Sequence, residues 1–415
     1  MGDAPVERLR SVPWGALEGL AAALDAPLAM VLCGAPAERV LDRFLRARRD
    51  LDADGRAVAA EALFGVGLWR RRLGWHLGAD GAPPRHFLAA LVRDLAGVAA
   101  AERLAGLAPG TLPPPRPPPD DLARRFSMPD WLAATLEREA GAGVAALATA
   151  LGEPGPVCLR PNLLRAAPGP LAAALRREGI ETRPGRWAEG SLVVSTPRPN
   201  LHGLAAWREG LFEVQDEGSQ LLGAAVGALP GEEVLDLCAG AGGKTLQLAS
   251  ALRGRGRIHA ADADPERLAR LRARAARAGV TNLTVHGEEP PAELRVDRAL
   301  VDAPCSELGA LRRGPDLRFR MDPTAFEPLP ALQRALLWKA AKLVRPGGRL
   351  VYATCTFRRE ENGEVARAFE DAHPAFARVR PGLDPALLDA EGFLRAWPHL
   401  HGTDGFFAAA WERRR

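Results

Sequence analysis

Short apolar runs alternate with helical stretches in the second half of the chain, and this alternation restricts the fold more than any other feature. Runs of strand length lie at 233–237, 257–262, 283–286, 298–302 and 349–354. Residues 265–277 between two of them show helical spacing. Strands alternating with helices in this way form βαβ units around a parallel sheet. The sequence predicts a doubly wound, Rossmann-like α/β domain over residues 213–415, with a last strand at 405–411 that runs antiparallel.

The preceding part of the chain is predicted to form two smaller domains joined by a stiff segment. Residues 1–112 have helical spacing and no strand pattern, which indicates an all-helical domain. The proline-rich residues 113–120 favour extended polyproline geometry and form a spacer. Residues 121–212 combine short strand candidates with a helix and predict a small α+β domain. A chain of 415 residues is long enough for several such cores.

Cysteine usage and hydropathy exclude several classes of protein. The five cysteines are an odd number without a Cys-x-x-Cys pair, which argues against a disulfide framework or a zinc site. No apolar run reaches membrane-spanning length, and no secretory signal is visible. We therefore expect a cytoplasmic, monomeric protein without a metal or a membrane partner. The net charge of +4 does not by itself indicate a nucleic-acid partner.

A glycine-rich turn with the sequence DLCAGAGGKT follows the first strand of the α/β domain. Gly240, Gly242 and Gly243 allow the backbone to approach a ligand, and the helix start offers free N–H groups. A phosphate-binding P-loop is excluded because Cys238 occupies its first glycine position. The turn therefore indicates a nucleotide-like ligand other than a P-loop triphosphate.

Two acidic residues extend this candidate cofactor site. Asp262 closes the next strand and can accept hydrogen bonds from both ribose hydroxyls. Glu288, at the third strand, can reach an adenine amine. A dinucleotide and S-adenosylmethionine both suit this arrangement. The strict G-x-G-x-x-G is missing and reactive cysteines are unsuited to hydride transfer, so S-adenosylmethionine is favoured.

Cys305 and Cys355 each follow a predicted strand and are expected at the same sheet edge as the glycine turn. A thiolate that adds to carbon-6 of cytosine makes carbon-5 nucleophilic enough to accept a methyl group. Asp302, three residues before Cys305, can stabilise the charge that develops at N3. A cysteine at a strand end is more often a small buried hydrophobe, and we apply that interpretation to Cys33, Cys158 and Cys238.

These residues resemble the Sun/Nop family of RNA cytosine-5 methyltransferases. The resemblance is strong from residue 212 to the end, moderate over 127–195 and weak before 113. Matching segments are VQDEGSQ at 214, DLCAGAGGKT at 236, ADADPERL at 261, DAPCS at 302, RRGPD at 312, ATCT at 353 and GFF at 405. The bacterial branch includes the enzyme that methylates small-subunit ribosomal RNA, which carries a NusB-like helical RNA-binding domain in front.

The resemblance implies roles that the residues alone leave open. It implies that Cys355 attacks carbon-6, that Cys305 assists release and that Asp302 lies between cofactor and base. The residues alone do not decide which thiol attacks, because DNA cytosine methyltransferases use a ProCys motif at the position of Cys305. The implied holders of the cofactor's methionine part are Cys238, Ala239, Gly240, Ala241, Gly242, Gly243 and Lys244, with Asp262 at the ribose. Ala241 and Glu288 depart from the usual proline and aspartate, and Thr356 replaces a usual serine.

Arginines near the thiols are candidates for RNA contacts. Arg312, Arg313, Arg318 and Arg320 follow Cys305 and are predicted to hold phosphates that flank the target base. In the middle domain, Arg160 and Asn162 match an Arg-x-Asn element of the family. The target cytosine must leave its stack to reach a thiol.

Together, the sequence predicts a class I S-adenosylmethionine-dependent RNA (cytosine-5) methyltransferase that acts on ribosomal RNA. Two alternatives remain open at this point. One is a methyltransferase of tRNA or of a non-RNA substrate on the same fold. The other is a non-catalytic RNA-binding assembly factor. The sequence does not identify the RNA or the cytosine.

Overall fold

The computed structural model describes residues 6–197 and 199–415, which form two compact units. The first unit comprises 6–153 and 311–322, and the second comprises the described residues of 154–310 and 323–415. The proline-rich residues 113–120 lie inside the first unit, and the region predicted as one domain over 121–212 is divided at residue 153. The four-part division made from the sequence therefore stays a prediction about folding domains.

The first unit is helical, as the spacing of its apolar residues predicts. Its helices are α1 (Glu7–Arg10), α2 (Ala21–Leu32), α3 (Ala37–Ala47), α4 (Ala53–Leu77), α5 (Pro84–Ala90), α6 (Ala101–Leu104), α7 (Leu122–Arg125), α8 (Asp130–Ala140) and α9 (Val144–Gly152). Helix α4 begins after Asp52, whose carboxylate accepts the Gly55 N–H at 2.8 Å and satisfies a donor of the first turn. A Cβ at Gly65 would lie 2.8 Å from the Leu91 side chain, so glycine permits the close packing at the middle of α4.

Residues 311–322 lie far from the rest of the first unit in sequence but pack within it. The Asp316 carboxylate accepts the Ala37 N–H at 3.2 Å. The guanidinium of Arg318 donates to the Leu151 carbonyl at 2.8 Å, and the Arg318 residue is only 1% exposed. Burial lowers the pKa of Arg318 to about 10, although the nearby Asp316 charge opposes that shift. This segment is therefore partly a structural element of the helical unit.

The second unit contains two sheets. Its strands are β1 (Cys158–Pro161), β2 (Thr182–Pro184), β3 (Leu192–Val194), β4 (Phe212–Val214), β5 (Glu233–Leu237), β6 (Arg257–Ala261), β7 (Leu283–Val285), β8 (Val296–Asp302), β9 (Val344–Thr354), β10 (Phe376–Val379), β11 (Leu394–Ala396) and β12 (Phe406–Arg413). Its helices are α10 (Pro168–Arg177), α11 (Ala205–Arg208), α12 (Glu217–Val226), α13 (Gly243–Ala251), α14 (Pro265–Ala278), α15 (Leu329–Leu343), α16 (Gly363–Ala372) and α17 (Pro398–His401). The smaller sheet has the antiparallel order β2-β3-β1-β4, and its core includes Leu159, Leu171 and Phe212.

The larger sheet confirms the predicted doubly wound fold. Its order is β10-β12-β9-β8-β5-β6-β7, with β11 paired to β12. Strands β5 to β9 pair in parallel, whereas β12 runs antiparallel to β9 as the sequence predicts. The sequence analysis did not identify β10 and β11, which are short and pair antiparallel with β12.

The strand order creates one crevice at the carboxyl edge of the sheet. The chain passes from β5 to β6 and β7 on one side and then returns to β8 on the other side of β5. Loops that leave β5 and β8 therefore diverge, and ligands bind at such a switch point. Within residues 6–197 and 199–415, no helix combines the length and apolar character needed to cross a membrane.

Replacing Arg318 with leucine is expected to lower the free energy of unfolding by about 2 kcal/mol, because the buried carbonyl of Leu151 and the partly buried carbonyl of Phe126 lose a charged donor. Urea unfolding of the full chain measures this change. The matched control is Arg320→Gln, which removes an exposed arginine that pairs with Asp316 at 3.2 Å and should cost less than about 1 kcal/mol. Unchanged stability of Arg318→Leu with weakened RNA binding would instead support the predicted phosphate contact.

Candidate active site

A cavity of about 930 Å³ lies within the second unit and brings together most of the predicted site residues. The lining includes Cys238, Ala239, Gly240, Ala241, Gly243, Lys244, Asp262, Glu288, Asp302, Cys305 and Cys355. Among the predicted cofactor residues, Gly242 is not part of this lining. Its φ is 89°, and a Cβ there would lie 2.8 Å from the Leu271 side chain. Gly242 therefore shapes the turn by packing against α14.

The carboxylate of Asp262, directly after β6, accepts a hydrogen bond from the glycine turn and fixes its conformation. Asp262 accepts the Gly240 N–H at 2.8 Å and the Asp264 N–H at 2.9 Å. Gly240 has a φ of 55°, and Cys238 adopts a left-handed φ of 68°, which is uncommon for a residue with a side chain. The two oxygens of a carboxylate offer about four acceptor positions, so Asp262 can still accept from a ligand hydroxyl.

A buried ion pair connects the glycine turn with the end of β8. Lys244 donates from Nζ to Asp302 at 2.7 Å. Burial alone would lower the pKa of Lys244, but the adjacent Asp302 carboxylate outweighs it and leaves the pKa raised. Asp236, in strand β5, is fully buried and accepts a hydrogen bond from the Thr245 hydroxyl at 2.6 Å. Burial raises the pKa of Asp236 to about 7.

The two candidate thiols lie side by side. The Sγ atoms of Cys305 and Cys355 are 3.4 Å apart, and the Cys355 N–H also points at the Cys305 sulfur at 3.4 Å. The hydrogen bond from Cys305 is the largest cause that raises the pKa of the Cys355 thiol, followed by burial and by the charges of Cys305, Asp302 and Glu307. These neighbours favour the protonated form of Cys355.

Cys238 differs from this pair. Burial, together with the carboxylates of Asp236, Asp262 and Asp302, raises the pKa of Cys238 to about 12. A thiol with such a pKa is a poor nucleophile at neutral pH. This environment argues against Cys238 as a nucleophile. Cys238 lines the cavity, and its implied contact with the cofactor stays a prediction.

Backbone contacts hold the loops of both thiols together. The Gly309 N–H donates to the Cys355 carbonyl at 2.9 Å, and the Gly405 N–H donates to the Gly309 carbonyl at 2.9 Å. A Cβ at Gly309 would lie 2.1 Å from the Gly405 oxygen, so no side chain fits there. The loop after Cys305 is thereby fastened to the loop after Cys355 and to the start of β12.

Several predicted RNA-contact residues are buried and serve as supports. Arg160 donates from Nε to Gln215 at 2.5 Å and from Nη2 to the Gly243 carbonyl at 3.3 Å, and burial lowers the pKa of Arg160 to about 10. Asn162 donates to the carbonyls of Gly210 and Ala278, each at 2.8 Å. Arg160 braces the glycine turn, and Asn162 connects Gly210, shortly before β4, with the end of α14. Their burial argues against the predicted RNA contact.

The predicted arginine cluster after Cys305 is divided between buried and exposed positions. Arg312 and Arg318 are 7% and 1% exposed, whereas Arg313 and Arg320 are exposed. None of the four is among the residues that line the cavity. Contact with phosphates that flank the target base therefore stays a prediction for Arg313 and Arg320. Burial argues against such a contact for Arg312 and Arg318.

The cavity also contains residues that the sequence analysis did not assign to the site. They include Gln215, Asp216, Ser219, Glu307, Leu332, Asp404 and Phe406. Some of them lie in segments that match the family, at 214–220 and 405–407, so those matches could have identified them. Glu307 has a left-handed φ of 57°, which no pattern in the sequence signals.

The pH dependence of thiol alkylation tests the geometry of the pair. Replacing Cys305 with alanine removes the largest cause that raises the pKa of Cys355. Alkylation requires the thiolate, so its rate rises as the pH passes through the pKa. We expect the half-maximal pH for iodoacetamide labelling of Cys355 to fall in Cys305→Ala, as measured by mass spectrometry of the labelled peptide. The matched control, Cys158→Ala in β1, should leave the profile in place, and an upward shift in Cys305→Ala would contradict the arrangement.

Comparison with known proteins connects this geometry to a family. A family model described as 16S rRNA methyltransferase RsmB/F matches residues 225–412. A second model, described as the RsmF/B-like ferredoxin-like domain, matches residues 128–200. A crystal structure of PH0851 covers 97% of this chain and is itself covered to 99%, with a TM-score of 0.75 and 24% sequence identity. At that identity, the structural likeness shows the fold alone.

Curated relatives agree with the family models. A Mycobacterium tuberculosis protein named as a methyltransferase is 39% identical over 295 residues, which cover 69% of this chain and 63% of that relative. A Synechocystis protein named as a ribosomal RNA small subunit methyltransferase B is 34% identical over 300 residues, with 69% of this chain and 67% of the relative covered. The match thus spans somewhat less than two thirds of the length of the first of these relatives. The chain belongs to the RsmB/F family of 16S rRNA methyltransferases.

Proposed function

We propose that the protein is an S-adenosylmethionine-dependent methyltransferase that places a methyl group on carbon-5 of a cytosine in small-subunit ribosomal RNA. The observation that carries this proposal is the pair of sulfur atoms 3.4 Å apart in the same cavity as the glycine turn. Cytosine-5 chemistry needs a nucleophilic thiol beside a methyl donor, whereas transfer to nitrogen or oxygen does not. The family membership and the name of the Synechocystis relative support ribosomal RNA as the substrate.

The charge of the cavity suits a cationic methyl donor. Seven carboxylate side chains and two cationic side chains line it. The carboxylates are Asp216, Asp262, Asp264, Glu288, Asp302, Glu307 and Asp404, and the cations are Lys244 and Arg267. Opposite charge stabilises a sulfonium ion in a partly buried site. S-adenosylmethionine, the cofactor of this family, supplies an electrophilic methyl group on such a sulfonium.

In the proposed reaction, the residues divide the work between nucleophile, charge stabilisation and release. The Cys355 thiol first loses its proton to solvent, and the resulting thiolate forms a bond with carbon-6 of the cytosine. The electron pair displaced from the ring double bond makes carbon-5 nucleophilic. The carboxyl group of Asp302 hydrogen-bonds the base, and in its protonated form it donates to N3 and stabilises the negative charge that develops there. Lys244, whose Nζ lies 2.7 Å from Asp302, adds a positive charge beside it. Methylation of carbon-5 would leave the donor's sulfur as a neutral thioether. A base then removes the carbon-5 proton, the freed electron pair re-forms the ring double bond, and the Cys355 thiolate leaves with the electron pair of its bond to carbon-6. The Cys305 sulfur, 3.4 Å from the Cys355 sulfur, is close enough to assist this release.

Two alternatives make different predictions. A methyltransferase of tRNA or of a non-RNA substrate would leave the small-subunit RNA unmodified, which bisulfite sequencing of cellular RNA with and without the gene would reveal. A non-catalytic assembly factor would bind RNA but transfer no methyl group from labelled S-adenosylmethionine. The intact Cys355, Cys305 and Asp302 in one cavity favour a catalytic protein over this second alternative.

Replacing Asp262 with alanine is expected to weaken the binding of S-adenosylmethionine by roughly tenfold to a hundredfold, because charged hydrogen bonds of about 1.5–3 kcal/mol are lost. Isothermal titration calorimetry of the purified full chain measures the Kd. The control Glu266→Gln changes an exposed acid in the first turn of α14 and should leave the Kd unchanged. Equal affinities for Asp262→Ala and the unmodified protein would remove Asp262 from the cofactor site.

The two thiols should give opposite results when each is replaced by alanine. Cys355→Ala should transfer no methyl group to 16S RNA from labelled cofactor, because the nucleophile is missing. Cys305→Ala should accumulate a covalent protein–RNA adduct on denaturing gels, because addition proceeds and release is slow. Cys33 is exposed, so the sequence interpretation of it as a buried hydrophobe is wrong. The control Cys33→Ala therefore changes an exposed thiol of the first unit and should keep full activity. An adduct that forms with Cys355→Ala instead would exchange the roles of the two cysteines.

A further inference from the structure

We propose that Glu361 is the positioning residue for both thiols, holding the residue that follows each cysteine so that the two sulfur atoms stay in contact. The catalytic consequence of this role rests on the proposed function, whereas the sulfur geometry does not. Glu361 ends the short helical turn Arg359–Glu361 before α16 and is 0% exposed. It does not line the cavity, so it acts through other residues.

Four donors converge on the Glu361 carboxylate. Oε2 accepts the Ser306 N–H and the Gln333 amide, each at 2.9 Å. Oε1 accepts the Ser306 hydroxyl at 2.6 Å and the Arg358 guanidinium at 3.2 Å. Ser306 thus gives both its backbone and its side-chain donor to one carboxylate. The residue directly after Cys305 is held at two points by Glu361.

The directions of the hydrogen bonds connect Glu361 to the loop of the second cysteine, Cys355, as well. A carboxylate only accepts, so the Ser306 hydroxyl must donate to Glu361. The Ser306 oxygen lies 2.7 Å from the Thr356 hydroxyl, and with its own proton already used it accepts from Thr356. Thr356 directly follows Cys355. One carboxylate therefore orders a chain of hydroxyl groups that runs from the loop of one thiol to the loop of the other.

The Glu361 carbonyl and the Asn362 side chain also bind residues on both sides of Cys355. The Glu361 carbonyl accepts from the Tyr352 hydroxyl at 2.5 Å. The next residue, Asn362, accepts from the Thr354 hydroxyl at 2.6 Å and donates to the Thr356 carbonyl at 2.9 Å. Residues immediately before and after Cys355 are thus bonded to the pair 361–362.

The composition of this cluster favours positioning over stabilisation. Burying a charged group and several hydroxyls costs desolvation energy, and an apolar cluster of equal volume would usually stabilise a fold at least as well. A buried polar network instead specifies one arrangement through its directional bonds. Here that arrangement is the contact of the two thiol loops. All four bonds to Glu361 are made, although the Oε1 of Gln333 has no hydrogen-bond partner among the described residues. Side chains supporting reactive groups need to hold them within about 0.5 Å of productive geometry.

Replacing Glu361 with glutamine tests the role while conserving size. Either orientation of the new amide turns an NH₂ group towards at least one of the four donors, which breaks the network. We expect slower formation of a Cys305–Cys355 disulfide with diamide, by on the order of tenfold, since proximity of the thiols sets that rate. In this reaction the thiols lose two protons and two electrons to the N=N bond of diamide, which becomes a hydrazine. Peptide mass spectrometry identifies the bond, and iodoacetamide labelling rates correct for altered thiol reactivity.

Methyl transfer should change in a way that separates positioning from binding. For Glu361→Gln we expect kcat with 16S RNA to fall by about a hundredfold, with KM for RNA and the Kd for S-adenosylmethionine unchanged. The matched control is Glu364→Gln, which makes the same change at an exposed position in the first turn of α16 and should match the unmodified protein. If Glu361→Gln does not fold, Ser306→Ala can replace it. This variant removes the hydroxyl that connects Glu361 with Thr356, and it should slow disulfide formation and methyl transfer to a smaller extent.

The outcomes separate this proposal from the proposed function. Slower disulfide formation in a protein that methylates no RNA, with or without the substitution, would leave the positioning role standing and remove the methyltransferase. Unchanged disulfide formation in Glu361→Gln, whatever happens to kcat, would overturn the positioning role. Slower disulfide formation together with lower kcat supports both.

Discussion

The pairing of β8 with β9 is the interaction on which the site depends. In this parallel register Asp302 lies opposite Ala353, and the Ala303 N–H donates to the Ala353 carbonyl at 2.9 Å beyond the last pair. The two strands therefore end side by side, and Cys305 and Cys355 follow within three residues. A slip of one residue would turn every side chain of the strand to the opposite face. The apolar residues of β8 and β9, buried on both faces, oppose such a slip.

Pairing of β8 with β5 brings the cofactor turn to the same place. Leu237 lies opposite Val301, so the glycine turn and Asp302 leave the sheet at the same level. The Lys244–Asp302 ion pair then closes the gap between them. Arg160 adds a second brace, because its guanidinium bonds the Gly243 carbonyl from the smaller sheet of the same unit. The position of the candidate cofactor site follows from sheet topology, and its fine geometry follows from buried charged side chains.

Much of this arrangement could be predicted from local patterns. The apolar runs predict the strands β5 to β9, and the rule that parallel strands share one carboxyl edge predicts that the two thiols meet near the glycine turn. Burial of individual polar residues could not be predicted in the same way. Arg318 and Arg160 resemble surface arginines in the sequence, but each is enclosed by carbonyls or amides contributed by distant segments. Glu361 likewise becomes significant only when Ser306 and Gln333 are brought to it.

The charges around Cys355 also bear on the order of events in the proposed reaction. Cys355 faces the charges of Asp302 and Glu307 and the sulfur of Cys305, all of which favour its protonated form. A positive charge in the same cavity favours the thiolate, because an opposite charge nearby stabilises the ionised form. In the proposed reaction, a cationic methyl donor would therefore both supply the methyl group and lower the pKa of the attacking thiol. The carboxylates of Asp302 and Glu307 favour the protonated form of Cys355, so the proposed mechanism would form the thiolate beside the methyl donor, where transfer can follow.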